Sequence, residues 1–281
     1  MQYRYGHTPC VPSKAQKLLC MSIITPRQAL EQAFVALAPF SDSDRWEFPS
    51  HLIHLESVLA LLQKLPSGAR VVDVGCYIGI LPLALRLLGV AVRGNDKFIF
   101  FPRETGKAYG FSPDELVQLK RVWASHDLVI DSFDALSETH SAQYDVVISI
   151  ATLEHQAYPK QFLESVACFA KEGGYIYIAV PNLAKLANRF RFLLGRPPMQ
   201  NIEEFYLNAE HFNGHWREYT LQELVRMATL SNLTVVEAKS IQTEPAKFNI
   251  WRPRKWLRSI ARAVSHVVPG SGDTNVMTLK K

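Results

Sequence analysis

An α/β fold, with a mostly parallel sheet covered by helices on both faces, is the architecture this sequence predicts. Two observations carry that expectation. Apolar runs of strand length alternate with segments of helical period along most of the chain. One junction, Arg70-Val-Val-Asp-Val-Gly-Cys-Tyr-Ile-Gly79, reads as a buried strand, an acid, a glycine turn and a helix start. Alternating strand–helix units imply a parallel sheet buried from both sides.

The elements follow in order. Residues 26–38 and 50–65 read as helices, the second with Leu52, Leu55, Leu59 and Leu62 at helical spacing. A polar connector, 41–49, lies between them. Val71 to Val74 is the first strand and Ile80 to Leu88 the helix after it. Val90 to Asn95 is the second strand. Ser112-Pro-Asp-Glu opens a helix to about Ala124, with Ser112 as N-cap, Pro113 at the first position and acids in the first turn. Val129-Ile130 ends a short third strand. A fourth covers 144–150, a helix runs from Pro159 to Ala170, and a fifth strand follows from Gly173. Thr220-Leu-Gln-Glu223 is a capping box opening a helix to about Leu230. Leu233 to Ser240 and Asn275 to Leu279 read as the last two strands.

The glycine turn narrows the ligand. Gly75 and Gly79 allow backbone angles or close approaches that a side chain would block. The helix start offers unpaired N–H groups to an anionic group. The Gly-x-x-x-Gly spacing lacks the Gly-x-Gly-x-x-Gly of a dinucleotide site. Asp73 would also set negative charge near a pyrophosphate. The same acid suits an ammonium and a sulfonium, and S-adenosylmethionine (SAM) carries both. Asp96 follows the second strand about twenty residues past Gly75, where an acid grips ribose hydroxyls. NAD and SAM proteins share that acid.

Four segments together resemble the class I SAM-dependent methyltransferases. Val71 to Gly79 is similar to the family's Asp-x-Gly-x-Gly-x-Gly motif, with Tyr77 standing where the middle glycine would be. Asn95-Asp96 resembles its ribose acid. Tyr144 to His155 resembles its fourth strand with the Glu-His that often follows, and Gly173 to Asn182 its fifth strand. The resemblance covers roughly 45–240. It implies a Rossmann-like seven-stranded sheet with an antiparallel last strand, which falls at 275–279, and SAM as cofactor. Ligands in such sheets bind at the carboxyl ends of strands. The expected cofactor residues are therefore Asp73, Gly75, Cys76, Tyr77, Gly79, Asp96, Asp131, Ser132, Phe133 and Ile150. The family often contacts adenine after the third strand, where Asp134 competes with Asp131 to Phe133. Cys76 reads as a small turn residue, and Asp131 also reads as a turn acid.

Methyl transfer asks mainly for alignment of the acceptor with the methyl group. An oxygen or nitrogen acceptor must also lose a proton, and histidine is the natural base. His155, after the fourth strand, and His215, in the loop Glu210 to Thr220, are the catalytic candidates. His211, Arg217 and Tyr219 of that loop could meet a sugar or an anion. Residues 182–208, with Arg189, Arg191 and Arg196 among Phe190, Phe192, Leu193 and Leu194, read as a substrate-side insertion or lid. The pattern from Pro181-Asn-Leu to Glu223-Leu resembles a bacterial methyltransferase subgroup associated with surface polysaccharides and glycolipids. That implies O-methylation of a saccharide, glycolipid or other small hydroxylated acceptor. A SAM-binding or membrane-associated protein without turnover, and an NAD-type oxidoreductase, are the alternatives.

Composition fits a soluble enzyme: 281 residues, 48% hydrophobic, net charge +5. No run reaches the ~18 apolar residues of a membrane span. Four cysteines without metal spacing or a Cys-x-x-Cys pair point to reduced thiols in the cytoplasm and to no metal. The first two dozen residues read as a loose tail, and Met21 is a second possible start. Pro245 to Gly272 holds no acid but has Arg254, Arg258 and Arg262 at four-residue intervals. This basic amphipathic helix, 251–268, suits an anionic membrane at the inner face. No nucleic-acid module is recognisable. The expected organisation is a tail and helix at 1–44, a SAM-binding core at 45–240 with an insertion at 182–219, and the basic helix with the last strand at 241–281.

Overall fold

The computed structural model describes residues 24–40, 47–97, 113–132, 135–136, 143–198, 202–207, 214–243 and 268–281. In chain order these form α1 (Pro26–Leu37), α2 (Phe48–Leu62), β1 (Arg70–Val74), α3 (Ile80–Leu87), β2 (Ala91–Asn95), α4 (Pro113–Ser125) and β3 (Val129–Asp131). Then come β4 (Tyr144–Ile150), a 3-10 turn (Leu153–His155), α5 (Pro159–Phe169), β5 (Ala170–Pro181), α6 (Leu186–Leu193), α7 (Ile202–Leu207), α8 (Leu221–Leu230), β6 (Thr234–Ile241) and β7 (Thr274–Lys280). Ser112 and residues 251–267, with Arg254, Arg258 and Arg262, lie outside the described residues.

The seven strands make one sheet in the order β3-β2-β1-β4-β5-β7-β6. β1 pairs in parallel with β2 and β4, β2 with β3, and β4 with β5. β7 runs antiparallel between β5 and β6. The expected sheet, with its antiparallel last strand, is the one observed.

The period of two along each strand divides the core. Val71, Val146, Ile148, Tyr177 and Ala179 face α1 to α4, where Leu30, Phe34, Leu55, Leu83 and Trp123 are buried. Val72, Val74, Val147, Ile176 and Ile178 face α5 and α8, against Phe162, Val166 and Leu224. Full burial of one such side chain contributes about 1.5–3 kcal/mol. Helices thus cover both faces, and the strands can be apolar on both sides.

Boundaries moved for local reasons. α2 starts at Phe48 because Pro49 sits in its first turn, where a missing N–H costs nothing. It ends at Leu62, and Lys64 and Leu65 close turns onto Leu61 and Leu62. Asp131 is the last residue of β3, paired with Asn95, and does not follow the strand. Thr220 caps α8 with Glu223 in the expected capping box. Buried residues of α1 share a core with β1, and β7 fills the sheet between β5 and β6.

Candidate functional site

The carboxyl ends of β1, β2 and β4 meet at the glycine turn. Gly75 N and Cys76 N both donate to Asn95 O, at 2.8 and 3.1 Å, which clamps the turn to β2. Gly75 has φ 78°, and a Cβ there would overlap the Thr152 side chain. Gly79 has φ 83° and caps α3 in the left-handed conformation. A side chain at either position would be strained by backbone angle and by space as well, since a Cβ at Gly79 would overlap the Ile130 side chain. Trp123 Nε1 donates to Ile78 O at 3.0 Å, so α4 props the far side of the turn.

Tyr77 adopts the conformation of the glycine it stands in for. Its φ is 50°, a left-handed angle costing a side-chain-bearing residue about 1–2 kcal/mol. Its N–H donates to Asp96 Oδ2 at 2.8 Å, a charge-assisted bond that helps hold the turn. Tyr77 is 52% exposed. Asp73 is 4% exposed at the end of β1. Burial, and then the charge of Asp96, push its carboxyl up to about 8. An acid in that state is poised for a cation.

The other expected cofactor residues part company here. Asp131 accepts two bonds from the Arg93 guanidinium, at 2.9 and 3.1 Å, while its main-chain oxygen accepts from Asp96 N at 3.1 Å. Its carboxylate therefore serves β2–β3 pairing, which explains the acid without a ligand. Ser132 is exposed, Ile150 is half-buried at the end of β4, and Cys76 is a free thiol in the turn. Phe133 and Asp134 lie outside the described residues.

Beyond β4 the chain turns sharply. Ala151 has φ 52°, and Thr152 leans on the glycine turn, its Oγ1 donating to Ile150 O at 3.0 Å and lying 3.4 Å from Gly75 O. The 3-10 turn Leu153–His155 then brings His155 against the sequence-distant His215. Their rings pack edge to face with centroids 4.9 Å apart. His155 Nδ1 lies 3.1 Å from Gly214 O, and a carbonyl can only accept, so Nδ1 carries the proton. His215 Nδ1 lies 3.1 Å from Glu218 Oε1 and donates likewise. In both rings Nε2 is then the basic nitrogen.

Glu154 and Glu218, neither of them expected, complete the cluster. Glu154 is 0% exposed, and burial pushes its carboxyl up to about 7. Burial also raises Glu218, but the His215 bond and the Lys185 ammonium at 3.9 Å outweigh it and leave this carboxyl below its usual value. Glu154 had a signal in the Glu-His pair, and Glu218 in its i,i+3 relation to His215. Single ligand atoms of Glu154, His155 and His215 lie within 4.8 Å of one another, so these three could hold a metal ion.

The remaining loop candidates have structural partners. Arg217 pairs with Glu223 at 2.6 Å and stacks over Tyr219, which is buried. His211 lies outside the described residues. Asn182, 0% exposed, ties the insertion down: its Nδ2 donates to Gly270 O and Gly272 O, and its Oδ1 accepts from Ala184 N and Asn275 Nδ2. Asn275 Nδ2 also donates to Tyr219 O at 2.9 Å, joining the histidine loop to β7.

Comparison with known proteins agrees with this geometry. A family profile described as a methyltransferase domain matches residues 46–238. A ubiquinone biosynthesis O-methyltransferase of Burkholderia pseudomallei is 29% identical over 178 residues, covering 63% of this chain and 70% of that protein. Its namesake in Xanthomonas axonopodis pv. citri is 27% identical over 231 residues, covering 80% and 87%. The fold matches that of the 1,6-didemethyltoxoflavin-N1-methyltransferase of Burkholderia thailandensis, solved with S-adenosylhomocysteine. There the TM-score is 0.52 at 16% identity, over 92% of each chain.

Proposed function

Since the chain belongs to the methyltransferase-domain family and is a class I SAM-dependent methyltransferase, we propose that it methylates a hydroxyl oxygen of a small acceptor. The observation that carries this reading is the juxtaposition, just past β1 and β4, of the glycine turn with a pair of histidines. SAM, when bound, supplies an already activated methyl group. The protein's share is to bind, align and remove a proton.

In this reading Asp73, Gly75, Cys76, Tyr77, Gly79 and Asp96 form the SAM side, with Ser132, Phe133 and Ile150 around the adenine. Asp131 contributes through its main chain. Asp73 gives up its proton when a cationic cofactor arrives, and Asp96 accepts from ribose hydroxyls. The acceptor enters from the 182–219 insertion, and its hydroxyl loses its proton at His155 and His215. Oxygen as the accepting atom is supported by the O-methyltransferase names of the relatives. Those names also favour an aromatic hydroxyl of quinol type. The saccharide or glycolipid acceptor rests on the loop pattern alone.

The test is formation of S-adenosylhomocysteine from SAM with a panel of catechols, phenols and sugars. Turnover on a hydroxyl acceptor that falls with His155→Ala is expected. Tight SAM binding with no turnover on any of them would overturn the reading in favour of a SAM-binding protein without catalysis.

A second part of the proposal is a cytoplasmic protein in peripheral contact with an anionic membrane through 251–268. No helix among the described residues is long and apolar enough to cross a membrane. Phe190, Phe192 and Leu193 of α6 are exposed. Arg189 donates to Pro269 O and Gly270 O at 3.3 and 2.9 Å, which anchors the end of the basic segment on α6. Binding to anionic vesicles should weaken when Arg254, Arg258 and Arg262 are changed to Gln. Unchanged, salt-insensitive binding would sink this part.

A further inference from the structure

Glu154 poses a problem that the methyl-transfer reading leaves unsolved. It is fully buried, and among the described residues neither of its carboxylate oxygens has a hydrogen-bond partner. A carboxylate in that position is costly unless it is paired, hydrogen-bonded or on a metal. The groups within reach are two imidazoles, with single ligand atoms of Glu154, His155 and His215 all inside 4.8 Å of one another.

A second observation points the same way. A metal-binding histidine usually donates its other ring N–H to a carbonyl or carboxylate, which fixes the tautomer and raises the basicity of the ligating nitrogen. His155 makes that bond to Gly214 O and His215 makes it to Glu218 Oε1, both at 3.1 Å. Glu218 is steadied in turn by Lys185 at 3.9 Å. Both histidines among the three potential ligands thus have their outer partner in place.

We propose that Glu154, His155 and His215 bind a divalent cation of the borderline class, such as Zn2+ or Co2+. Two imidazoles and one carboxylate suit such ions and leave positions open for a substrate. Ligand bonds of about 2.0–2.2 Å set tetrahedral ligand atoms roughly 3.4 Å apart. Closing from 4.8 Å therefore takes side-chain movements of about 1 Å or less.

The inference deepens the proposed reaction and rests on it for its chemical purpose. The cation draws electron density from the acceptor hydroxyl, whose O–H bond breaks with the pair left on oxygen and the proton released to water. The two histidines then act as ligands at the place where the proton leaves. Glu154 ceases to be a buried orphan.

The test needs neither acceptor nor turnover. The full chain, cleared of metal with a chelator, is titrated with Co2+ and followed by visible absorption. One equivalent should give the d–d bands of a nitrogen and oxygen site, without a thiolate charge-transfer band. Glu154→Gln and His215→Gln should each weaken binding at least tenfold to a hundredfold. SAM affinity of both variants should stay within about twofold, which shows that they fold. Three outcomes overturn the proposal: unchanged bands in Glu154→Gln, a thiolate band, or no bands in wild-type protein that binds SAM. His215→Gln, at a half-buried position, supplies the comparison if Glu154→Gln does not fold. Failure of wild-type SAM binding would strike the methyltransferase reading, and the metal titration would stand apart from it.

Discussion

The turn after β1 and the cluster after β4 lie side by side but are built in different ways. The turn is made of backbone: two left-handed glycines, a tyrosine in a glycine's conformation, and main-chain bonds to Asn95. The cluster is made of side chains: Glu154, His155, His215 and Glu218, with Asn182 and Asn275 behind them. A backbone-built site depends on small residues at fixed places. A side-chain-built site depends on every buried polar group finding a partner.

Asn182→Ala should give the largest effect on the cluster side. It takes the side-chain partner from Gly272 O and Ala184 N, each worth about 1–3 kcal/mol when left unpaired in the interior, while Gly270 O keeps Arg189 and Asn275 keeps Tyr219 O. Stability should fall by about 2–6 kcal/mol in urea unfolding, while any protein that stays folded keeps its SAM affinity. Gly75→Ala is the counterpart in the turn. The left-handed angle costs about 1–2 kcal/mol and the overlap with Thr152 about 1–3. Here SAM affinity should fall with stability, since the turn itself is displaced. If the two variants gave the same pattern, the contrast would be broken.

Asp96→Ala comes next. Loss of its charge-assisted bond to Tyr77 N, and of the ribose bond proposed above, should weaken SAM binding by about 1.5–3 kcal/mol, roughly tenfold to a hundredfold by calorimetry. The pH response sharpens the picture. Asp73 stands near 8 in the folded protein against 3.8 for an ordinary aspartate. From about pH 4 to 8 the unfolded chain ionises this group and the folded chain does not. Its effect is therefore to lower stability across that window, levelling off above it. Binding of a cation favours the ionised form, so SAM affinity should rise towards pH 8 and then flatten. Calorimetry in two buffers of different ionisation enthalpy should show proton release, and Asp73→Asn should abolish it. The smallest effect is that of Tyr77→Gly. Relief of about 1–2 kcal/mol of backbone strain is partly offset by the entropy of glycine, about 0.5–1. The melting temperature should rise slightly or hold.

The same contrast explains what could be read from the sequence. The β1 turn is local: strand, acid, glycines and helix lie within ten residues, and Asp96 follows at a spacing that strand geometry imposes. Both capping and alternation carried the helices and strands to within a few residues. The cluster is not local. His155 and His215 are each visible, but their contact joins positions far apart in the chain, beside the main-chain bond from Arg217 N to Glu154 O. Glu154 looks like a partner of its neighbour in sequence, and only burial reveals it as a carboxylate without a donor. Asp131 shows the converse: its carboxylate pairs with Arg93, a partner 38 residues away that its own position does not reveal.

β7 has a consequence for how the protein is made. It occupies a place between β5 and β6, and its seven residues come after both in sequence. During synthesis β6 leaves the ribosome with no neighbour to pair with, and the edge of β5 stays open. The nascent sheet must therefore wait, exposed to chaperones and to other unfinished chains, until residues 274–280 emerge and join its two parts.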